Sequence, residues 1–141
     1  MKRKENYSLS DKLPDQFNEV AILSYLSTET VSISSLDALR EMAFFNEIDI
    51  ADWLNINVKT LRNYKNKNTD IKEYVQEKIV ILLALFKHGK AVFGDFKAFS
   101  MWLDTENFFF DNKKPASFLT TFSGVLFIDD RLAALEHGDN V

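Results

Sequence analysis

The stretch IKEYVQEKIVILLALFKHGKAVF, Ile71–Phe93, decides the fold. It holds no Pro and one Gly, and from Ile79 to Phe86 every residue is apolar. A helix with one apolar stripe covers one neighbour, whereas a helix apolar all round is buried between neighbours. The run is far shorter than the ~20 residues needed to cross a bilayer, so it reads as a buried core helix. Asp70 is the expected N-cap, with Glu73 in capping-box position, and Gly94 the expected stop. The helix is thus a central post with a different module on each side.

Composition sets the class around it. The chain has 141 residues, 46% of them hydrophobic and 27% charged, with only 4 Gly and 2 Pro. That is a globular composition too poor in turn residues for a sandwich or barrel, so an all-α fold is expected. Zero Cys excludes disulfides and thiolate metal sites. The start, MKRKENYSLSDK, lacks the apolar segment of a secretory signal, and the expected location is the cytoplasm, with no membrane role. Residues 1–15 form a basic lead-in expected to be disordered. A net charge of −4 disfavours nonspecific nucleic-acid binding, but the charge is unevenly placed. Asn57–Asn68 holds Lys59, Arg62, Lys65 and Lys67 with no acid, while Asp129–Val141 holds four acids against Arg131. A basic patch and an acidic tail point to two different partners.

Before the central helix, a helix is expected from Pro14-Asp15 to about Ser27, with Phe17, Val20, Ala21 and Leu23 or Ser24 on its apolar face. Thr28–Ser34 reads equally as loop or short extended segment. Ser34 or Ser35 then caps a helix Leu36–Phe45 that turns Leu36, Leu39, Ala43 and Phe44 inward. In Glu47–Tyr64, EIDIADWLNINVKTLRNY, a helix beginning near Asp49 buries Ile50, Ala51 and Leu54. Asn55 suits a sharp left-handed turn, Ile56 plugs the corner, and Asn57 caps a second helix whose Leu61 and Tyr64 point inward. This is helix-turn-helix spacing, placed within residues 16–69. Its second helix offers Asn57, Lys59, Thr60, Arg62 and Asn63 to a major groove, with Lys65 and Lys67 near phosphates. The other reading is a plain helical hairpin whose cations are a solvated face.

Beyond residues 70–93, Asp95 is the expected cap of a helix Phe96–Leu103 carrying Phe99, Trp102 and Leu103. Phe108-Phe109-Phe110 reads mainly as core, with one ring exposed. Asp111-Asn112 is a turn signal, Pro115 opens a helix Pro115–Thr121, and Ser123-Gly124 breaks it. Val125–His137 is the last helix, its apolar residues Val125, Leu126, Ile128, Leu132 and Leu135, with Gly138 as its stop. Trp102, Phe118 and Leu119 read as core. The chain has two His, His88 and His137, both near helix ends, and no phosphate loop or zinc-protease pair. No catalytic residue, metal site or cofactor is expected.

Within Val92–Gly138, Phe93-Gly94-Asp95, Trp102-Leu103, Asn107, Pro115, Phe118-Leu119, Ser123-Gly124 and Leu135-Glu136-His137-Gly138 follow one another at defined spacings. This series resembles the toxin-binding domain of Xre/MbcA/ParS-type antitoxins. Leu54-Asn55-Ile56-Asn57 with Thr60-Leu61 resembles the Xre-like domain that such antitoxins carry before it, so the resemblance spans about Leu36 to Val141. The chain departs from the family at Phe110-Asp111-Asn112 and Lys114-Pro115, where Leu-Gly-Gly and Thr-Pro are usual. It also departs at Asn55, where Gly is usual, and lacks a dense Arg run in the recognition helix.

The resemblance implies an all-α type II antitoxin with a helix-turn-helix module and a toxin-binding module over residues 94–141, joined by the long buried helix. Its implied partners are a RES-domain toxin that consumes NAD and operator DNA, in a homodimer or an assembly with the toxin. The toxin contact falls on Ala133–Val141, and so on Ala133, Ala134, Glu136, His137, Gly138, Asp139, Asn140 and Val141. A cleft that binds a nucleotide diphosphate should be basic, and an acidic tail is suited to fill it. A stand-alone helix-turn-helix regulator, whose C-terminal module mediates protein–protein association, is the alternative.

Overall fold

All-round burial of the long helix requires partners on every side, and the fold supplies them. The computed structural model describes residues 13–14, 17–67 and 69–138. In chain order the α-helices are α1 (Glu19–Thr28), α2 (Ile33–Met42), α3 (Glu47–Leu54), α4 (Val58–Asn66), α5 (Glu73–Phe93), α6 (Phe96–Leu103) and α7 (Phe122–Glu136). Two 3₁₀ turns, Phe108–Phe110 and Pro115–Phe118, lie between α6 and α7. The fold is all-α, and among the described residues β pairing is limited to an isolated bridge between Asn107 and Lys113. The basic lead-in, apart from Leu13 and Pro14, lies outside the described residues, as do Asp139, Asn140 and Val141.

Helix α5 is the post. Every residue from Lys78 to Phe86 is buried. Helices α1, α2, α3, α6 and α7 all pack on it, while α4 rests on α3. Each such Leu, Ile or Phe is worth about 1.5–3 kcal/mol of burial, so this segment dominates the core. Phe86 joins the two halves: its ring lies 6.1 Å from Trp53 of α3 and 5.0 Å, edge-on, from Phe99 of α6. Two hydrogen bonds also cross between the halves. The Phe44 backbone N–H donates to the buried Ser100 hydroxyl at 3.2 Å, and the Asn55 side-chain amide donates to the Thr120 carbonyl at 3.1 Å.

The ends of α5 divide the sequence expectation. Gly94 stops the helix at φ 98°, a conformation open to glycine. The start is a correction: the N-cap position is Lys72, not Asp70, and no side chain caps it. Ile71 turns into the core ahead of the helix, and its carbonyl accepts from the Gln76 side-chain amide at 2.7 Å. Burial of Ile71 thus sets the start later than the acidic residue before it suggests.

Other boundaries move for similar reasons. Helix α1 begins at Glu19, where the Asn18 side chain accepts from the Ala21 N–H, and it buries Ile22 and Tyr25. Val20 and Leu23, expected inside, are exposed, because apolar residues lie around most of this helix and the cap sets a different phase. Helix α2 starts at Ile33 behind Ser32, whose N–H donates to Ser35 Oγ, and it ends at Met42. Leu36, Leu39 and Ala43 are buried as expected, but Phe44 is exposed. Helix α3 starts at Glu47, two residues ahead of Asp49, because Asn46 caps it by accepting from the Asp49 N–H.

In the C-terminal half, Asp95 caps α6 by accepting from the Ala98 N–H at 2.7 Å, as read from the sequence. Pro115 opens a single 3₁₀ turn rather than a helix reaching Thr121. Ser123-Gly124 does not break a helix; it lies in the first turn of α7, which Thr121 caps by accepting from the Gly124 N–H. The glycine serves close packing instead. A Cβ there would fall 1.8 Å from the Phe118 carbonyl oxygen, and one on Gly89 would fall 2.3 Å from the Phe99 ring.

Gly124→Ala is therefore expected to lower stability by about 3 kcal/mol, since the atom it meets is backbone and cannot swing aside. Ser123→Ala at the exposed neighbouring position should change it by no more than about 0.5 kcal/mol. Urea denaturation of both variants checks the pair.

Candidate functional site

Two surfaces carry the residues that the sequence singles out. The first is α3–α4. Asn55 adopts the left-handed conformation, φ 60° and ψ 38°, and the Ile56 N–H returns to the Ala51 carbonyl at 3.0 Å. Asn57 caps α4 by accepting from the Thr60 N–H at 2.8 Å. Leu61 and Tyr64 are buried, Ile56 packs against the core, and the two helices cross tightly as the spacing requires. On the outer face Asn57, Lys59, Arg62, Lys65 and Lys67 are exposed, while Thr60 and Asn63 are half-buried.

This face is less basic than its sequence. Glu47 Oε2 lies 3.4 Å from Arg62 Nε and 3.5 Å from an Arg40 terminal nitrogen, and Lys65 lies 3.9 Å from Asp37. Two of the four cations in the patch thus face carboxylates from α2 and α3. The Asn57 oxygen is engaged as a cap, which limits its use as a bidentate base reader. Helix geometry places all seven candidate DNA residues on one element; the acids opposite them come from elsewhere in the chain.

The second surface is built on α6, the 3₁₀ turns and α7. Asn107 organises the turn: its side chain accepts from the Phe109 N–H, its carbonyl from the Asn112 N–H, and its own N–H donates to the Lys113 carbonyl. Asp111 and Asn112 are both left-handed, at φ 59° and 61°, which Asp and Asn tolerate better than most residues. Phe110 is thereby driven into the core, while Phe108 and Phe109 are left outside at 79% and 53% exposure. Two rings are therefore exposed where the sequence points to one. A three-residue 3₁₀ turn spreads consecutive side chains around its axis, so only one ring can face inward. Trp102 and Leu119 are buried as expected, and Phe118 is half-buried.

On α7, Val125, Ile128 and Leu132 are buried, Leu135 is half-buried, and Leu126 is exposed. Of the residues implied for toxin contact, Ala133 and Ala134 are half-buried, and Glu136, His137 and Gly138 are exposed. Glu136 is also engaged within the chain. His88 on α5 stands between two carboxylates of α7, its Nδ1 2.6 Å from Asp129 and its Nε2 2.6 Å from Glu136. Those hydrogen bonds, Asp129 first, raise the imidazole from 6.5 to about 9 against the opposing effect of burial. It is an imidazolium at neutral pH and clasps α7 to the end of α5. The sequence reading missed this clasp. Its signal was a histidine on the post helix and two acids seven apart, hence on one face, of the last helix. The carboxylates lie on opposite edges of the ring and do not converge on one ion, and no group of three His, Asp or Glu among the described residues is placed to hold a metal.

Because the folded imidazole binds its proton more tightly than the unfolded one, its stabilisation is complete below pH 6.5 and lost as pH rises through about 9. Discounted for partial exposure, the loss is expected to be on the order of 2 kcal/mol. Burial lowers Lys78 on α5 to about 8, which acts oppositely, adding stability from there upward. The difference between the native chain and His88→Gln isolates the clasp. Chemical denaturation from pH 6 to 9 should show the native chain's advantage shrinking as pH rises.

Against known proteins, residues 88–138 match the model of the antitoxin Xre/MbcA/ParS C-terminal toxin-binding domain. None of the curated proteins matches the chain. The match opens at His88 and closes at Gly138, so it takes in both ends of the clasp, the Asn107 turn and the close approach at Gly124. No helix among the described residues is long and apolar enough to cross a membrane. From His88 to Gly138 the chain is thus similar to an Xre/MbcA/ParS antitoxin toxin-binding domain, and the antitoxin class is the one this segment points to.

Proposed function

We propose that the chain is a type II antitoxin that binds and neutralises a RES-type, NAD-consuming toxin through its C-terminal module and represses its own operon through α3–α4. The observation that carries this reading is the toxin-binding domain at 88–138, packed through one post helix against a helix-turn-helix with a left-handed corner at Asn55. The RES assignment comes from the resemblance of the sequence. Charge supports it: Asp139, following Glu136, His137 and Gly138, gives the chain's end an acidic character suited to a cleft that binds a diphosphate. Ala133, Ala134, Asn140 and Val141 complete the proposed contact.

In the proposed repressor role, Asn57, Thr60, Arg62 and Asn63 face base edges and Lys59, Lys65 and Lys67 face phosphates. Glu47 and Asp37 compete for Arg62 and Lys65, so operator affinity rests heavily on Lys59 and Lys67 and on having two copies in the complex.

Co-expression with the neighbouring reading frame, co-purification and an NAD-consumption assay test the first part. The partner is expected to consume NAD alone, to stop when the chain is bound, and to resume when residues 139–141 are deleted. A partner that is bound and neutralised but does not consume NAD removes the RES assignment and leaves an antitoxin. For the second part, Lys59→Ala with Lys67→Ala should weaken operator binding and flatten the log–log salt dependence by about 2. Salt-sensitive operator binding with no toxin partner would favour a stand-alone regulator.

A further inference from the structure

The aromatics of the C-terminal module form a connected cluster that reaches the surface at Phe109 and Phe127, with Phe108 exposed in the same turn. Phe109 lies 5.1 Å from Phe110 and 6.4 Å from Phe127, and Phe127 lies 5.3 Å from Phe110 and 5.5 Å from Phe118. Phe127 is 42% and Leu126 37% exposed, beside the more open Phe108 and Phe109. The Arg131 guanidinium stands 4.0 Å from the centre of the Phe109 ring. We propose that Phe109 and Phe127, edged by Arg131, with the exposed Phe108 of the same turn, are the anchor on which the toxin docks. This rests on the antitoxin reading above and names the surface through which it acts.

Three observations favour a toxin as the occupant. The platform lies wholly within the matched toxin-binding segment, whereas the exposed Val20, Leu23, Phe44 and Ile48 belong to α1–α3 and the loop between them. Its exposed apolar area, roughly 400 Å² from the ring sizes, matches the apolar centre of a mixed interface. It falls well short of the about 800 Å² per partner of a standard interface, and two copies of one chain use larger and more apolar faces. Finally, the platform is already rigid. Phe110 is sunk in the core, and the backbone behind Phe108 and Phe109 is tied to Asn107, so little ordering remains to be done on binding. An aromatic cluster with an Arg at its rim has the make-up of a binding hot spot. The complementary toxin surface is an apolar pocket.

The test uses the full chain and the purified toxin encoded beside it. Titration calorimetry is run on native protein, Phe108→Ser and Phe109→Ser, with thermal unfolding and sedimentation of each free chain. Expected is a loss of toxin affinity of about 30-fold for Phe109→Ser and about 10-fold for Phe108→Ser, with unfolding of Phe108→Ser unchanged. If Phe109→Ser unfolds, Phe108→Ser decides. Affinities within twofold of native for folded variants overturn the inference while the antitoxin reading stands. A native chain that binds no toxin overturns both. A free native chain that self-associates through these rings, with toxin affinity unaffected by their loss, makes the platform a contact between copies and overturns the inference as well.

Discussion

The structure depends on one constraint: Lys78–Phe86 is buried on all faces, so α5 must be enclosed by other helices. Neither half of the chain can do this alone. Helices α1–α3 of the first half and α6 and α7 of the second all pack on it, and each half completes its core against the shared post. A chain of this size with a single central helix is thus one cooperative body rather than two beads on a string. Lys78 is buried within the same run, and that burial lowers its basicity.

This sharing gives the two surfaces a physical connection. Phe86 touches Trp53 on one side and Phe99 on the other, and the corner of the helix-turn-helix hydrogen-bonds to Thr120, immediately before the Thr121 cap of α7. Asn55 therefore has two tasks. Its backbone supplies the left-handed turn that a glycine would also supply, and its side chain supplies a bond that a glycine could not. Asn55 thereby ties this corner to the C-terminal module.

The C-terminal motif divides in the same way between shape and contact. Asn107, Pro115 and Gly124 act through the backbone they permit: an anchored turn, a 3₁₀ start and a close helix approach. Glu136 shares its carboxylate with His88, so its place in the motif already has a reason inside the molecule. The rings that reach solvent, Phe108 and Phe109, lie in the turn that Asn107 anchors.

What the sequence alone determined was local. A run apolar on every face required a buried post, and Asn55, Asn57, Asp95 and Gly94 act through bonds and φ values within a few residues of themselves. These gave the all-α class, the α3–α4 pair with its left-handed corner and most helices of the second half. What only the tertiary structure decided involves partners far apart in the chain. His88 meets Asp129 and Glu136 across 41 and 48 residues, and Glu47 meets Arg62 across 15. The clearance at Gly124 and the division of Phe108–Phe110 between core and solvent depend on where neighbouring backbone passes. Periodicity and capping report the neighbours a residue has along a helix; they carry no record of which other helix faces it.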